Sequence, residues 1–131
     1  MSRRTETFVH YFSSNDIEAA SERLDAISGK SLTLDHFGRP DRFLMSMTTA
    51  LLGRSTLTKV KLRAVRTNRP GDDEVHVSIP IGGTAVRYRC GSSTHDIGLG
   101  DPAAVVRPFD VIGVSAEEAF MVHFRAPLGA R

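Results

Sequence analysis

Five histidines, a single cysteine and one Ser-Thr-His-Asp run are the residues of this chain whose types could do chemistry. A metal-dependent barrel enzyme needs two histidines on one strand, an acid a few residues on and a further histidine after a second hairpin, so that the ligands converge. Here His10, His36, His76, His95 and His123 stand far apart, Ser78 fills the position two beyond His76, and the segment from Gly100 to Pro108 has no histidine. This spacing predicts no metal centre and makes the histidines surface or satisfied core residues, although a barrel could bring His76 and His123 together. Ser93-Thr94-His95-Asp96 contains the residue types of a nucleophilic relay, but neighbours on a strand point to opposite faces. There is no Gly-x-Ser-x-Gly, no phosphate-cradling glycine loop and no Cys-x-x-Cys. Cys90, at a strand end beside Arg87 and Arg89, reads as a structural thiol. No catalytic residue, metal or cofactor is expected from these patterns, and the chain is not read as an enzyme.

Binding is the chemistry that remains. Small-molecule sites are mostly apolar with a few placed polar groups. Met45 and Met47 share a strand face with Phe43 and offer an adaptable apolar wall, or plain core. Tyr88 lies on the opposite face from Arg87 and Arg89. With Val86, Tyr88 and Cys90 inward, Tyr88 supplies a polar tip and the arginines are solvated. With the other face inward, a buried cation would need an anionic partner, which would point to a carboxylate ligand. The first arrangement is the one adopted here, and Met45, Met47, His76, Tyr88 and Arg107 are the candidate ligand-binding residues, the last at a barrel rim beside Pro108.

These residues need elements to position them. Asn15, with Glu18 three residues on, reads as a capping box opening a helix over 15–28, and Gly29 sits where a left-handed C-terminal cap belongs. Ile17, Ala20, Leu24 and Ile27 recur at helical spacing, so the helix covers a core with one stripe. From Ser31 the periodicity changes to two, predicting strands at Leu32–Phe37, Arg42–Leu52, Thr56–Thr67, Val75–Ile81, Thr84–Cys90, Thr94–Ile97, Ala103–Val106, Val111–Val114 and Ala119–Arg125. In the fourth of these, Val75, Val77, Ile79 and Ile81 form the face expected to be buried. Gly82-Gly83 is then read as the tight turn of a hairpin. Short strands separated by Gly and Pro breakers indicate an all-β barrel or sandwich with one N-terminal helix.

At 131 residues and 40% hydrophobic content the chain is one domain able to bury a core. The lone cysteine, the absence of an apolar run long enough to span a bilayer and the polar residues after Met1-Ser2-Arg3-Arg4 predict a cytoplasmic protein with no membrane partner. Net charge is only +2, so nucleic-acid binding does not follow from the total. Arg54, Lys59, Lys61, Arg63, Arg66 and Arg69 nevertheless occur with no acid between Arg42 and Asp72. They are read as a solvated strand face that discourages edge pairing, with contact to DNA or an acidic partner as the sharper alternative.

The order and spacing of Ser14-Asn15-Asp16-Ile17-Glu18-Ala19-Ala20, Leu51-Leu52-Gly53-Arg54-Ser55-Thr56-Leu57, Ile79-Pro80-Ile81-Gly82-Gly83 and Leu99-Gly100-Asp101-Pro102-Ala103 with Pro108 give the chain a family likeness. It resembles the N-terminal effector-binding and dimerisation domain of AraC/XylS-type transcriptional regulators over roughly Thr5 to Pro127. The resemblance implies a cupin-like double-stranded β-helix, or jelly-roll, a small organic effector, a homodimer, and DNA contact only through a C-terminal helix-turn-helix domain. Arg125-Ala126-Pro127-Leu128-Gly129-Ala130-Arg131 carries no helical pattern, so that domain is absent here. The expected organisation is a regulatory domain cut from a longer regulator: an arm over 1–12 able to close on the barrel mouth, a helix over 15–28, a barrel over 31–125 and the start of an interdomain linker over 126–131. The helix stripe and Ala119–Phe124 are the two candidate dimer surfaces. A small cupin-type enzyme acting on a sugar or small acid, a stand-alone small-molecule-binding protein and a purely structural dimer module are the alternatives.

Overall fold

The computed structural model describes residues 8–28, 32–107 and 111–127. In chain order the elements are β1 (Phe8–Ser14), α1 (Ile17–Ser28), β2 (Thr33–His36), a short 3-10 turn at Pro40–Arg42, β3 (Leu44–Leu52), β4 (Ser55–Arg69), β5 (Glu74–Gly83), β6 (Val86–Cys90), β7 (Ser93–Ile97), β8 (Ala104–Val106) and β9 (Ile112–Pro127). Every strand pairing is antiparallel. The chain is mainly β with one N-terminal helix, as the periodicity predicts, and no described helix is long and apolar enough to cross a membrane.

Two long strands, β4 and β9, lie side by side and run through both leaves of the structure. Residues 55–63 of β4 pair with β3, which pairs with β1, while residues 65–68 pair with β2. Residues 119–127 of β9 pair with β5, which pairs with β8, while residues 112–115 pair with β6, which pairs with β7. Successive strand side chains alternate in face, so a strand shared by two leaves must change which parity points inward. It does so at Ala64, whose φ of 54° breaks the alternation. On β4 the buried positions are Thr56, Thr58, Val60, Leu62 and Ala64, then Val65; on β9 they are Ile112 and Ala116, then Ala119 and Met121. The two leaves thus face each other across a core that includes Phe43, Val65, Val86 and Met45.

Helix α1 closes one side of this core through Ala20 and Leu24. Its N-cap is Asp16, whose Oδ2 accepts the Ala19 N–H at 3.2 Å, while Ser14 Oγ accepts the Asp16 N–H at 3.0 Å. The cap therefore falls one residue after Asn15, because β1 continues to Ser14; Gly29 lies outside the described residues. Residues 8–12, expected within an arm, instead pair with β3 as part of β1. Ala126 and Pro127, expected in a linker, pair with Val75 and Glu74.

Two local expectations are corrected. The strands over 111–114 and 119–125 are one strand, β9. Gly82-Gly83 makes no hairpin, since β5 pairs with β8 and β9 whereas β6 pairs with β7 and β9. The glycines carry the chain from one leaf to the other under close contact with β9. Gly83 has φ +84°, and a Cβ there would lie 2.5 Å from the Glu118 carbonyl oxygen. The same oxygen accepts the Thr84 N–H at 2.7 Å.

Candidate functional site

The largest correction concerns β5. Val77 is half-buried and Ile79 and Ile81 are exposed, while His76 and Ser78 are 3% and 4% exposed and point into the barrel. The polar face is inside because most of its groups satisfy one another; the exception among the described residues is Glu74 Oε1, buried without a hydrogen bond and 3.5 Å from Arg125 Nε. Buried polar atoms without partners would cost about 1–3 kcal/mol each, so such a face is tolerable only as a connected network.

The network begins at Asp72, just before β5. Its carboxylate accepts from Arg69 Nη1 at 2.7 Å and from the Glu74 N–H at 3.0 Å, and lies 3.3 Å from His76 Nε2. Burial alone would raise its pKa, but the Glu74 N–H and the Arg69 guanidinium outweigh that and hold it below the ordinary carboxylate value. An ionised carboxylate only accepts, so His76 carries its proton on Nε2 and presents a bare Nδ1. That atom lies 3.2 Å from His123 Nε2, which must donate. His123 Nδ1 is then an acceptor, filled by Ser78 O–H at 2.8 Å. One charge thus sets the direction of four consecutive groups: Ser78 to His123 to His76 to Asp72.

Both imidazoles are uncharged at neutral pH. Burial pushes His76 down to about 4, with Arg69 adding to the effect and Asp72 opposing it. Burial and then the neighbouring His76, Arg69 and Arg125 push His123 down to about 3. Arg125 in turn faces Glu74, Nε to Oε1 at 3.5 Å.

The relay opens into an interior chamber of about 160 Å³. Leu24, Met47, Val60, Leu62, Val106 and Ile112 supply apolar wall, and His76, Ser78, His123 and Tyr88 supply the polar groups. Tyr88 is buried on β6 and its hydroxyl donates to Met121 Sδ at 3.2 Å. Desolvation raises its pKa, so it stays a neutral donor.

Of the five residues singled out in the sequence, Met45, Met47, His76 and Tyr88 line this chamber. Arg107 is exposed and is not among the lining residues. Arg87 and Arg89 point outward, as the adopted arrangement of β6 has it. The meeting of His76 with His123 is the one the sequence allowed for in a barrel, while Ser78 and Asp72 were not foreseen as parts of the same site. The signal available was the run Asp72, Glu74, His76, Ser78 at period two, a polar face as regular as the apolar one beside it.

Asp72, Glu74 and His76 also bring three ligand-type atoms within 4.8 Å of one another. Each carboxylate already faces a guanidinium, Asp72 that of Arg69 and Glu74 that of Arg125. A divalent cation entering there would meet two fixed positive charges, so the donor set fits a charge-balanced network better than a metal.

The paired leaves, the covering helix and the chamber between them define a cupin-like β-barrel. Solved cupin structures superpose on it: the cupin domain of Cnp3 from Schizosaccharomyces pombe has a TM-score of 0.56 at 9% identity, covering 64% of this chain and 65% of that one. A protein described as a predicted oxalate decarboxylase from Thermotoga maritima has a TM-score of 0.57 at 9% identity, covering 65% of this chain and 82% of that one. Ectoine synthase from P. lautus has a TM-score of 0.54 at 16% identity, covering 63% of this chain and 64% of that one. The chain thus spans less than two thirds of the length of the Cnp3 domain and of the synthase. No family model matches the sequence, and a search of curated proteins finds no match. These likenesses carry the cupin fold; they do not show an AraC/XylS regulator. They do overturn the expectation that the chain is not an enzyme, since the fold is one that enzymes use. His76 and His123, 47 residues apart in the chain, meet inside the barrel.

Proposed function

We propose that this barrel binds a small, uncharged organic molecule carrying a hydrogen-bond acceptor oxygen, and that the binding event is a regulatory signal of the AraC/XylS kind. The observation that carries the binding reading is the chamber. Its 160 Å³ lies below the roughly 300–1,000 Å³ of drug-sized sites, so the ligand is small. Its apolar walls favour an apolar body. The relay's donors are committed to one another, which leaves the Tyr88 hydroxyl, which faces Ser78 and donates to a thioether sulfur, a weak acceptor. A carbonyl or ether oxygen would replace that sulfur with gain. The regulatory part rests on the family resemblance, and with it come a homodimer and a cytoplasmic location.

A second reading, catalysis in the same chamber, is favoured by the relay. A serine hydroxyl bonded to an imidazole that is backed by a second imidazole and a carboxylate has the nucleophile, base and orienting group of covalent catalysis in order.

Thermal-shift titration of the chain with small ketones, lactones, aromatic alcohols and sugars, beside a Met47→Trp variant that fills the chamber, tests the first reading. A compound that raises the melting temperature of the parent chain and not of the variant supports it. Equal stabilisation of both, or of neither, overturns it. Chromatography of the bound compound separates the readings, since a sensor returns it unchanged and an enzyme converts it.

A further inference from the structure

The outer face of the second leaf holds a trough whose polar side chains take no part in the chamber. Its floor is β9 at Gly113 and Ser115, and its walls are β4 and β6. The register sets Arg66, Ser115 and Arg87 abreast, and Asn68, Gly113 and Arg89 abreast two residues along. Residues at i and i+2 share a face, so four long polar side chains stand around two small ones. The result is a concavity of about 430 Å³, edged by Thr33 and Asp35 on β2 and Thr94 on β7.

Two of its three cations are uncommitted. Arg87 forks onto Asp96 at 2.9 and 3.2 Å. Arg89 makes no ion pair or hydrogen bond with another side chain among the described residues, and Arg66 is held only by its stack on the Phe37 ring, 5.6 Å to the centroid. A guanidinium stacked on a ring keeps its N–H edge available. The acid in the lining, Asp35, accepts the His36 N–H through Oδ1 at 2.7 Å. Gly113 has no positive φ, so the backbone there does not require glycine. Its missing side chain keeps space instead, since a Cβ would lie 3.3 Å from Arg89 Nη2.

We propose that this trough is a second ligand site, for a small molecule bearing a doubly charged oxyanion, either a phosphate monoester or a pair of carboxylates. Arg66 and Arg89 grip the anion from opposite walls through charge-assisted hydrogen bonds, and Ser115 and Asn68 donate from the floor and wall. The side chains proposed to bind lie on the outer parity of β4, β6 and β9, on the far side of the leaf from the chamber; Thr67 and Val114, between them in sequence, line both cavities.

Isothermal titration of the full chain with inorganic phosphate, and separately with malonate, at matched ionic strength tests this. Saturable binding of either supports the site, and the anion preferred says which source of charge it takes. Arg66→Ala and Arg89→Gln should each weaken binding roughly ten- to a hundredfold, the factor for a lost charge-assisted hydrogen bond. Gly113→Val, which fills the floor with both arginines in place, should do the same. Arg54→Ala, an exposed arginine at the β3–β4 turn, should leave binding unchanged. Absence of binding by both anions, equal loss in Arg54→Ala, or binding that survives in the Arg66/Arg89 double variant overturns the proposal.

Discussion

Lowering the pH from 7.5 to 5.0 should destabilise this protein through the two interior imidazoles, and the size of the effect follows from their surroundings. Histidine in the unfolded chain titrates near 6.5, while burial and the arginines hold His76 to about 4 and His123 to about 3 in the fold. Above pH 6.5 neither state binds a proton there and the pair contributes nothing. Between 6.5 and the folded values the unfolded chain takes up protons that the folded chain refuses, so stability falls as the pH falls, by about 1.4 kcal/mol per pH unit for each imidazole. At pH 5 that amounts to roughly 2 kcal/mol each and roughly 4 kcal/mol for the pair, against a typical total of about 5–15 kcal/mol. The figure is insensitive to how far below pH 5 the folded values lie. Asp72 acts in the same direction but in a lower window: its depressed pKa contributes stability above the ordinary carboxylate range that is lost only as the pH falls further. Urea unfolding at pH 7.5, 6.5, 5.5 and 5.0 measures the slope, and a His76→Asn/His123→Gln double variant should flatten it. His10, His36 and His95 remain in that variant as the internal control. If the variant does not fold, imidazole NMR signals of the parent chain give an independent test, with two rings expected to stay neutral at pH 5. A parent stability that is flat across this window, or two interior rings that titrate near 6.5, refutes the reasoning.

Three further outcomes follow from packing and caps, each read by urea denaturation at pH 7.5. Gly83→Ala should cost roughly 3 kcal/mol or more, because it adds a Cβ 2.5 Å from the Glu118 oxygen to a backbone at φ +84°, whereas Gly53→Ala, at φ +64° with open space around it, should cost about 1 kcal/mol. Asp16→Ala should cost about 1 kcal/mol and Asn15→Ala almost nothing, since only Asp16 accepts from the first turn of α1. Phe43→Ala should cost about 3–5 kcal/mol, while Ile79→Ser should stay within about 0.5 kcal/mol because Ile79 is 47% exposed.

The elements were legible in the sequence because their signals are local. Ile17, Ala20 and Leu24 mark the helix by spacing alone, and Gly53 and Gly91, both at positive φ, mark turns that the register confirms between Leu52 and Ser55 and between Cys90 and Ser93. What failed depended on partners. Ser14, Asn15 and Asp16 are all good cap residues, and the choice among them is made by how far β1 runs along β3. Gly82-Gly83 satisfies the local rule for a hairpin, but that rule assumes that consecutive strands pair, and β5 pairs with β8 and β9 instead.

The inversion of β5 has a different origin. Alternation locates two faces of a strand and assigns the apolar one inward by default, on the premise that polar groups are better hydrated than buried. Here the outward face joins a row in which Val9, Ala50, Leu57, Phe124, Val77 and Val105 stand abreast on six strands, so apolar side chains find apolar neighbours without entering the core. The inward face finds its partners on β9 and before β5, in His123 and Asp72, at separations of 45 and 4 residues from Ser78 and His76. Neither compensation is visible within β5 itself. An interior that is to hold a ligand by hydrogen bonds must turn some polar face inward, so the one strand whose alternation misleads is the strand that supplies the relay.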